Sequence, residues 1–370
     1  MVRPLLALDF ALGPELEGAI RDRVDHGEAF CVLDQRLSPR RRDETLDLLG
    51  AGAVIDSNGR RARDGGRDVD DDIGLVMLTS GSSGDPKAAQ LSWRALRASA
   101  DMTQAALRTG GPPVWFPCLN ASHIGGLAVL LRAVLGDARL VWGDVERIER
   151  APAQGATHVA VVRTQLVRHD LSGFDTVLLG GARPPTQVGE NVVATWGMTE
   201  TGSGIVYDGY ALAGVDVAES GGELIVRSPT LFSSYRDGER PHVTGPDGLD
   251  DWFPTGDAGT VVDGRVSVRG RLGYVINTGG EKLWPEDLET VLATIEGVSD
   301  VAVTGVDDAR WGQRVVALVV GDGRALDAAI AETAAERIGP WAKPKEIRYV
   351  TAIPRTLSGK IVRAGLAHLH

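Results

Sequence analysis

The length, composition and charge of the chain exclude several classes of protein. It has 370 residues, of which 43% are hydrophobic and 24% charged, as in a globular protein large enough for two or three domains. A net charge of −11 argues against a general nucleic-acid-binding surface, which needs excess Lys and Arg. Neither a signal peptide nor an apolar run of about 18 residues occurs, so we expect a cytoplasmic protein without a membrane span.

The two cysteines, Cys31 and Cys118, are too few and too far apart for a disulfide framework or a CxxC motif. We expect both to be buried and to act as small hydrophobic residues.

A segment rich in hydroxyl groups and glycine follows a strand predicted over 73–78. From Thr79 to Lys87 it reads Thr-Ser-Gly-Ser-Ser-Gly-Asp-Pro-Lys. Its glycines allow positive φ angles and a close backbone approach, and exposed N–H groups in such a turn bind anions. An Asp-Pro pair separates the last glycine from the lysine, so this is not a Walker A loop. The segment predicts a polyphosphate site; the alternative is a flexible surface turn.

The elements predicted around this segment alternate between strand and helix. Residues 60–72 are charged and glycine-rich, which predicts a solvated loop. Ser92 is a candidate N-cap for a helix that ends before Gly110. Buried strands are predicted at 114–116, 159–162, 176–179 and 192–196, and an apolar helix at 126–135. Apolar strands that alternate with helices favour mainly parallel sheets covered by helices.

The pattern becomes β-rich from about residue 203. Strands are predicted at 223–227, 259–262 and 266–268, and Asp263-Gly264 between the last two is a hairpin signal. From about residue 270 a compact α+β unit follows, with helices at 285–295 and 326–338 and strands at 298–303 and 314–320. The predicted fold is therefore α/β, with a large N-terminal domain over residues 1–271 and a small α+β domain over 272–370.

Four further motifs occur along the chain after the Thr79–Lys87 segment. They are Thr-Trp-Gly-Met-Thr-Glu-Thr-Gly at 195–202, Trp-Phe-Pro-Thr-Gly-Asp at 252–257, a glycine-rich segment at 270–282 and Pro-Arg-Thr-Leu-Ser-Gly-Lys at 354–360. Each alone is compatible with a structural role. In this order, over about residues 74–363, the set resembles the adenylate-forming superfamily of acyl- and aryl-CoA ligases, luciferases and peptide-synthetase adenylation domains.

The resemblance implies an ATP site built from these motifs. The β- and γ-phosphates would be held by Thr79, Ser80, Gly81, Ser82, Ser83, Gly84 and Lys87. Trp196, where the family more often has tyrosine, would stack on adenine beside Gly197 and the backbone of Gly180, Gly181 and Ala182. Asp257 would accept hydrogen bonds from the ribose hydroxyls, with Arg271 nearby.

The resemblance also implies the groups that act at the reacting phosphate. Thr199 would contact the α-phosphate, Glu200 would help to hold Mg²⁺, and Lys360 would bridge the acyl oxygen and the α-phosphate. In this family the small domain rotates between the two half-reactions, and the hinge position falls at Gly273, where many relatives have Asp or Lys. The small domain is therefore expected to be mobile.

The short N-terminal part, with 78 residues before Thr79, resembles actinobacterial o-succinylbenzoate–CoA ligases of menaquinone biosynthesis. Segments at 122–127, 162–166 and 197–209 support this subgroup. It implies acyl-adenylate formation followed by thioester formation with coenzyme A. His123 would line the aryl-acid site, or else is a core histidine at a helix start. Arg163, Thr201 and Ser203 are candidates for the second carboxylate, although Arg163 equally fits a surface arginine.

Three alternatives to this function remain open. One is another aryl- or acyl-CoA ligase of secondary metabolism, and another is a stand-alone adenylating enzyme that loads a carrier protein in trans. The third is a degenerate nucleotide-binding protein, against which the intact Glu200, Asp257, Arg271 and Lys360 argue. The expected partners are a small carboxylic acid, ATP and coenzyme A, without nucleic acid or membrane. The oligomeric state, including a homodimer, stays open.

Overall fold

The first part of the chain forms a mixed sheet flanked by helices. The computed structural model describes residues 2–79, 86–107, 111–181, 188–355 and 361–369. The elements of this part are β1 (Val2–Pro4), β2 (Leu6–Leu8), α1 (Pro14–His26), β3 (Phe30–Val32), α2 (Pro39–Leu49), β4 (Ala53–Asp56), β5 (Gly59–Ala62), β6 (Asp68–Asp70), β7 (Ile73–Leu78), β8 (Ala88–Ser92) and α3 (Trp93–Ala106). Parallel pairs join β4, β2, β3 and β7 at the centre of this sheet.

Antiparallel strands close both edges of this sheet. β8 pairs with β7, and the register sets Leu78 opposite Ala88, so the Thr79–Lys87 segment connects two neighbouring strands. At the opposite edge β5 pairs with β4, while β6 and β1 form a separate two-stranded antiparallel sheet. The prediction of a solvated loop over 60–72 is therefore partly wrong. The polar residues of β5 are exposed at a sheet edge, where charged side chains are well tolerated.

The middle of the chain forms a second, larger sheet. Its elements are β9 (Val114–Phe116), α4 (Ile124–Leu135), β10 (Arg139–Leu140), β11 (His158–Val161), α5 (Arg163–Arg168), β12 (Thr176–Leu179), β13 (Val192–Met198), β14 (Ser203–Tyr207), β15 (Tyr210–Ala211), β16 (Asp216–Ser220), β17 (Glu223–Arg227), β18 (Ser234–Tyr235), β19 (Phe253–Val262) and β20 (Arg265–Arg271). The strand order is β10-β9-β11-β12-β13-β14-β15-β20-β19-β17-β16. β18 instead extends the first sheet by pairing with β8.

The predicted change of pattern near residue 203 is the point where this sheet changes from parallel to antiparallel. β13 pairs in parallel with β12 and antiparallel with β14, so the β-rich part continues the same sheet. At the predicted hairpin, Asp263 and Gly264 have φ angles of 51° and 75°, as a tight two-residue turn requires. The helices α1, α3 and α4 contribute buried apolar side chains to one core shared with both sheets.

The last part of the chain has its own sheet and core. Its elements are β21 (Ile276–Thr278), β22 (Glu281–Leu283), α6 (Pro285–Leu292), β23 (Val298–Asp308), β24 (Gly312–Gly321), α7 (Asp327–Arg337) and β25 (Glu346–Tyr349). The sheet order is β22-β21-β24-β23, with β25 parallel to β24. The buried apolar clusters of this part begin at Ile276. The predicted α/β class is confirmed, with mixed sheets.

Within the described ranges, every helix lacks the length or the hydrophobicity that crossing a lipid bilayer requires.

Candidate active site

The residues predicted to hold adenine and ribose lie in direct contact. Trp196, near the end of β13, donates its indole N–H to Asp257 Oδ2 at 2.8 Å. Asp257 stands opposite Arg271 on the β19–β20 ladder, and Arg271 Nε lies 3.0 Å from Asp257 Oδ1. A second Arg271 nitrogen donates to the Thr255 carbonyl at 2.7 Å. Three residues far apart in sequence thus form one polar cluster.

Glycines shape the backbone beside this cluster. The β13–β14 ladder shifts register after Trp196, and a Cβ on Gly197 would lie 2.2 Å from the Ser203 carbonyl oxygen. No side chain fits at that distance. Gly180 follows the neighbouring strand β12, and Gly181 has a φ of 82°, which favours glycine. Ala182 lies outside the described residues.

The predicted magnesium carboxylate is nearly buried. Glu200 lies in a short 3₁₀ turn, Thr199–Thr201, and is 8% exposed. The Tyr235 hydroxyl donates to Glu200 Oε1 at 2.8 Å. Burial, and then the neighbouring Glu200 anion, raise the pKa of Tyr235 far above its ordinary value. The phenol therefore stays protonated and donates to the carboxylate.

The two end residues of the predicted phosphate segment, Thr79 and Lys87, are joined by a hydrogen bond, and Lys87 contacts the same tyrosine. The Thr79 N–H donates to the Lys87 carbonyl at 2.7 Å. Lys87 Nζ lies 4.9 Å from the centroid of the Tyr235 ring and forms an ion pair with Glu239. Ser80, Gly81, Ser82, Ser83 and Gly84 lie outside the described residues.

The backbone and one aromatic pair link these two groups of residues. Trp196 on β13 and Glu200 in the turn that follows are four residues apart. The Phe232 N–H donates to the Glu200 carbonyl, and the Phe232 ring lies 5.3 Å from the ring of Phe253 on β19, the strand that carries Asp257. The two clusters therefore adjoin each other. No motif predicted Tyr235. Its signal was a two-residue strand, β18, whose pairing with β8 places the ring beside Lys87. Lys360 lies outside the described residues.

Glu200 has the chemistry of a magnesium ligand. Among the described residues it takes part in no ion pair, and its hydrogen-bond donor, the Tyr235 hydroxyl, is neutral, so no cationic side chain in that part of the chain occupies the carboxylate. Those residues also contain no group of three or more His, Cys, Asp or Glu side chains that could hold a metal. Mg²⁺ typically binds through one or two carboxylates together with substrate phosphates, which this arrangement fits.

The predicted acid-binding residues take different positions. His123 is the exposed N-cap residue of α4, so the alternative of a core histidine is wrong. Arg163 is exposed at the first residue of α5, as a surface arginine would be. His123 lies in the connection after β9, and Arg163 lies shortly after β11; these two strands are parallel neighbours. Ligands bind beyond the carboxyl ends of parallel strands in open α/β sheets.

Thr201 and Ser203 are buried, and their hydroxyl groups have partners inside the protein. Thr201 Oγ1 contacts the Met198 backbone nitrogen at 2.9 Å and the Ser203 carbonyl oxygen at 2.7 Å. Ser203 Oγ lies 2.8 Å from Ser99 Oγ. The geometry therefore gives both hydroxyls a role in holding the turn after Glu200, and it does not favour them as carboxylate donors.

A residue that the sequence prediction missed is Arg132. The helix predicted as apolar at 126–135 contains it, on α4, and the side chain is only 2% exposed. Its guanidinium lies 4.5 Å from the Trp115 ring centroid. Within the described part of the chain, Nη1 has no hydrogen-bond partner and no carboxylate pairs with the group. A narrow void beside it is lined in part by Ser99 and Gly202, adjacent to the Glu200 turn.

The cysteines are unreactive. Cys31 is buried, as predicted, while Cys118 is half-buried, and its thiol donates to the Ala160 carbonyl at 3.3 Å. Burial raises the pKa of each thiol to about 12. Neither is a nucleophile at neutral pH.

Two family descriptions match the chain. Residues 28–218 match the family described as AMP-binding enzyme, and residues 287–360 match the AMP-binding enzyme C-terminal domain. The second match includes the position of Lys360, and the first includes Thr79–Lys87, Trp196 and Glu200.

Curated relatives carry a consistent description. A Mycobacterium tuberculosis protein described as probable 2-succinylbenzoate–CoA ligase is 37% identical over 336 residues, which is 81% of this chain and 85% of the relative. The Enterococcus faecalis 2-succinylbenzoate–CoA ligase is 28% identical, over 79% of this chain and 68% of its own length.

Solved structures show the same fold. The o-succinylbenzoate CoA synthetase from Bacillus subtilis, in complex with the acyl-adenylate intermediate OSB-AMP, matches with a TM-score of 0.85 at 23% identity. The match covers 99% of this chain and 88% of that one. ATP-bound MatB from Rhodopseudomonas palustris matches with a TM-score of 0.83 at 21% identity, over 100% of this chain and 89% of that one.

Proposed function

The chain belongs to the AMP-binding enzyme family, and from this premise we propose that it ligates o-succinylbenzoate to coenzyme A at the expense of ATP. In the first step a carboxylate oxygen of the acid attacks the α-phosphorus, and pyrophosphate leaves. In the second step the thiol of coenzyme A loses its proton and attacks the acyl carbon, and AMP leaves. The thioester would serve menaquinone biosynthesis.

The observation that carries the nucleotide part of the proposal is the single site formed by two clusters. Trp196, Asp257 and Arg271 form the nucleoside cluster. Glu200, Tyr235 and Lys87 form the phosphate cluster. In the proposed assignment the indole ring faces adenine, Asp257 accepts from the ribose hydroxyls, and the 79–87 segment holds the outer phosphates through N–H groups and Lys87.

The first step brings two anions together, so stabilisation of charge at phosphorus is the main requirement. In the proposal Glu200 holds the metal, Thr199 donates to the α-phosphate, and Lys360 neutralises charge between the acyl oxygen and phosphorus. Bound Mg²⁺ would supply further neutralisation of the phosphate oxygens. The neutral Tyr235 donor leaves the Glu200 charge available for that cation.

The acid has a second carboxylate, and Arg132 is our candidate for its counterion. A buried guanidinium without a carboxylate partner is destabilising, which favours an anionic ligand beside it. The void at Arg132 adjoins Gly202, two residues after Glu200. It is too narrow for a water molecule in the free chain, so the proposal requires α3 and α4 to move apart when the acid binds. This assignment replaces Thr201 and Ser203, while exposed His123 and Arg163 remain candidates for the outer part of the acid site.

The two half-reactions need different groups at the same phosphorus. We propose residues 1–271 and 272–370 as the two domains, with a mobile small domain and a hinge near Gly273. Gly273 is exposed and has no heavy atom within 4 Å of a Cβ built on it. The separate apolar core that begins at Ile276 allows the small domain to move as a unit.

We propose that the enzyme works in the cytoplasm on small molecules, without nucleic acid as a ligand, and that a homodimer is compatible with the fold. A different aryl or acyl acid is the alternative substrate.

The test is coenzyme A-dependent release of AMP with o-succinylbenzoate, benzoate and a fatty acid side by side. We expect kcat/KM to be highest for o-succinylbenzoate. A preference for benzoate or the fatty acid would contradict the substrate but leave the ligase reaction standing. Absence of AMP release with all acids and with coenzyme A would contradict the ligase reaction itself.

A further inference from the structure

Tyr235 contacts both functional groups of the phosphate cluster. Its hydroxyl donates to Glu200 Oε1 at 2.8 Å, and Lys87 Nζ lies 4.9 Å from its ring centroid. Glu200 and Lys87 are 113 residues apart in the sequence. The same side chain thus contacts the carboxylate proposed to hold the metal and the lysine proposed to hold the outer phosphates.

The surrounding backbone fixes this side chain. β18 pairs with β8, with Tyr235 opposite Ala89, and the Tyr235 N–H donates to the Glu239 carbonyl at 2.8 Å. The ring lies 4.8 Å from the Phe232 ring. The Phe232 N–H donates to the Glu200 carbonyl at 2.8 Å, so one short segment holds both the donor and the backbone of its acceptor.

A neutral donor is suited to this carboxylate. A lysine or arginine in the same place would compete with a bound cation for the charge of Glu200. A phenol hydroxyl orients Oε1 and brings no positive charge to the carboxylate. The Tyr235 ring holds Lys87 by a cation–π contact, which does not neutralise the charge of the ammonium group. Lys87 is therefore positioned while it stays available to a phosphate.

We propose, on the basis of the proposed function, that Tyr235 is a positioning residue for adenylation: its hydroxyl orients Glu200 for the metal of ATP, and its ring holds Lys87. The ion pair between Lys87 and Glu239 completes the position of the lysine in the absence of nucleotide. Incoming phosphate then takes the place of the Glu239 carboxylate.

The experiment separates the hydroxyl from the ring. Binding of ATP to the full-length chain is measured by calorimetry with and without Mg²⁺. For Tyr235→Phe we expect the Mg²⁺ concentration for half-saturation at fixed ATP to rise about 10-fold, since a hydrogen bond to a charged group is lost. Metal-free affinity for ATP should change less than about twofold, because Lys87 keeps its ring contact. Tyr235→Leu should weaken metal-free binding as well.

A matched control is Tyr349→Phe. Tyr349 also donates its hydroxyl to a carboxylate, Asp327, at 2.7 Å, but it lies on β25 in the last part of the chain. We expect no change in Mg²⁺ dependence for this variant. In a Glu200→Gln background, the effect of Tyr235→Phe on Mg²⁺ dependence should disappear.

Three results would overturn the inference. The first is an unchanged Mg²⁺ dependence of ATP binding in folded Tyr235→Phe. The second is an equal loss of ATP affinity with and without Mg²⁺. The third is an effect of Tyr235→Phe on Mg²⁺ dependence that persists in the Glu200→Gln background. In each of these cases the proposed function would stand, because the wild-type chain still binds ATP. A wild-type chain that binds no ATP would overturn the proposed function together with this inference.

Discussion

The nucleotide side and the acid side of the candidate site are built in different ways. On the nucleotide side, short motifs at strand ends meet in polar contacts such as Trp196–Asp257 and Asp257–Arg271. On the proposed acid side, Arg132 lies inside an otherwise apolar helix, and packing of α4 sets its position. The first side depends on contiguous sequence, and the second depends on which residues the packing of helices brings together.

This difference implies that the two sides can be disabled separately. Damage to the nucleotide side should affect every acid equally. Damage at Arg132 should affect only acids that carry a second carboxylate.

The largest effect is expected at Lys360, which the proposal assigns to both the acyl oxygen and the α-phosphate. Loss of one oriented cation at the reacting group costs about 3–4 kcal/mol, so Lys360→Ala should slow adenylation by about 10²- to 10³-fold. The thioester half-reaction, started from supplied acyl-adenylate, should stay largely intact. Single-turnover measurements of each half-reaction check this, with exposed Lys343→Ala as the control. Equal losses in both half-reactions would contradict the role.

The next largest effect is expected on the acid side. Truncation of one partner in a buried, hydrogen-bonded charge pair costs 2–5 kcal/mol, so Arg132→Met should lower kcat/KM for o-succinylbenzoate by about 100-fold. The KM for ATP and the turnover of benzoate should change little. Because the charge is buried and unpaired in the free chain, the melting temperature should stay level or rise. Exposed Arg168→Met is the control, and an equal loss with benzoate would refute the assignment.

A complementary change on the nucleotide side is Asp257→Asn. It keeps the shape of the side chain but removes the charge paired with Arg271, and a hydrogen bond that involves a charged group contributes about 1.5–3 kcal/mol. We expect the KM for ATP to rise about 10-fold or more. The ratio of kcat/KM for o-succinylbenzoate to that for benzoate should not change. A shift in that ratio would show that the two sides are not separable.

A smaller effect is expected for Trp196→Phe. The aromatic face is kept, and one indole hydrogen bond to Asp257 is lost. A typical net contribution of about 1 kcal/mol corresponds to about a fivefold rise in the KM for ATP. Steady-state kinetics measure it, and Trp196→Tyr, with the residue more often found in the family, should lie closer to wild type. A variant without any aromatic ring that matches wild type would contradict adenine stacking.

The smallest expected effect is on the pH dependence of stability, and it arises from His158 in the core near Arg132. Burial, with a contribution from nearby Arg132, holds the pKa of His158 below its ordinary value. The folded chain keeps this ring neutral, while the unfolded chain binds a proton below about pH 6.5. Stability should therefore fall as the pH drops through that value. Melting temperatures at pH 7.5 and 5.5 should differ less in His158→Gln than in wild type; equal differences would contradict this.

The sequence was most informative where function requires specific residues in a row. Four residues of the motifs at 79–87, 195–202 and 252–257 lie in the two polar clusters of the structure: Lys87, Trp196, Glu200 and Asp257. Their roles in catalysis stay predictions. Strands β7, β9, β12 and β17 were predicted because their apolar residues are contiguous, and the Asp263-Gly264 turn because positive φ angles restrict the residue types.

Other features could not be predicted because they depend on long-range pairing. The edge strands β5 and β6 are polar, and only backbone pairing with β4 and β1 makes them strands. Tyr235 has no neighbouring motif and acquires its role through the β18–β8 pair. Arg132 was hidden within an apolar run, although a single charge at a position facing the core was a signal that could have identified it.

Exchange between ATP and pyrophosphate in the absence of coenzyme A tests the central claim most directly. It reports the first half-reaction alone and needs the acid, both clusters of the nucleotide side and Lys360. We predict exchange that depends on o-succinylbenzoate, is weaker with benzoate and is lost in Lys360→Ala. Exchange at the same rate without any acid would contradict the account. So would the absence of exchange with o-succinylbenzoate in a folded chain that binds ATP.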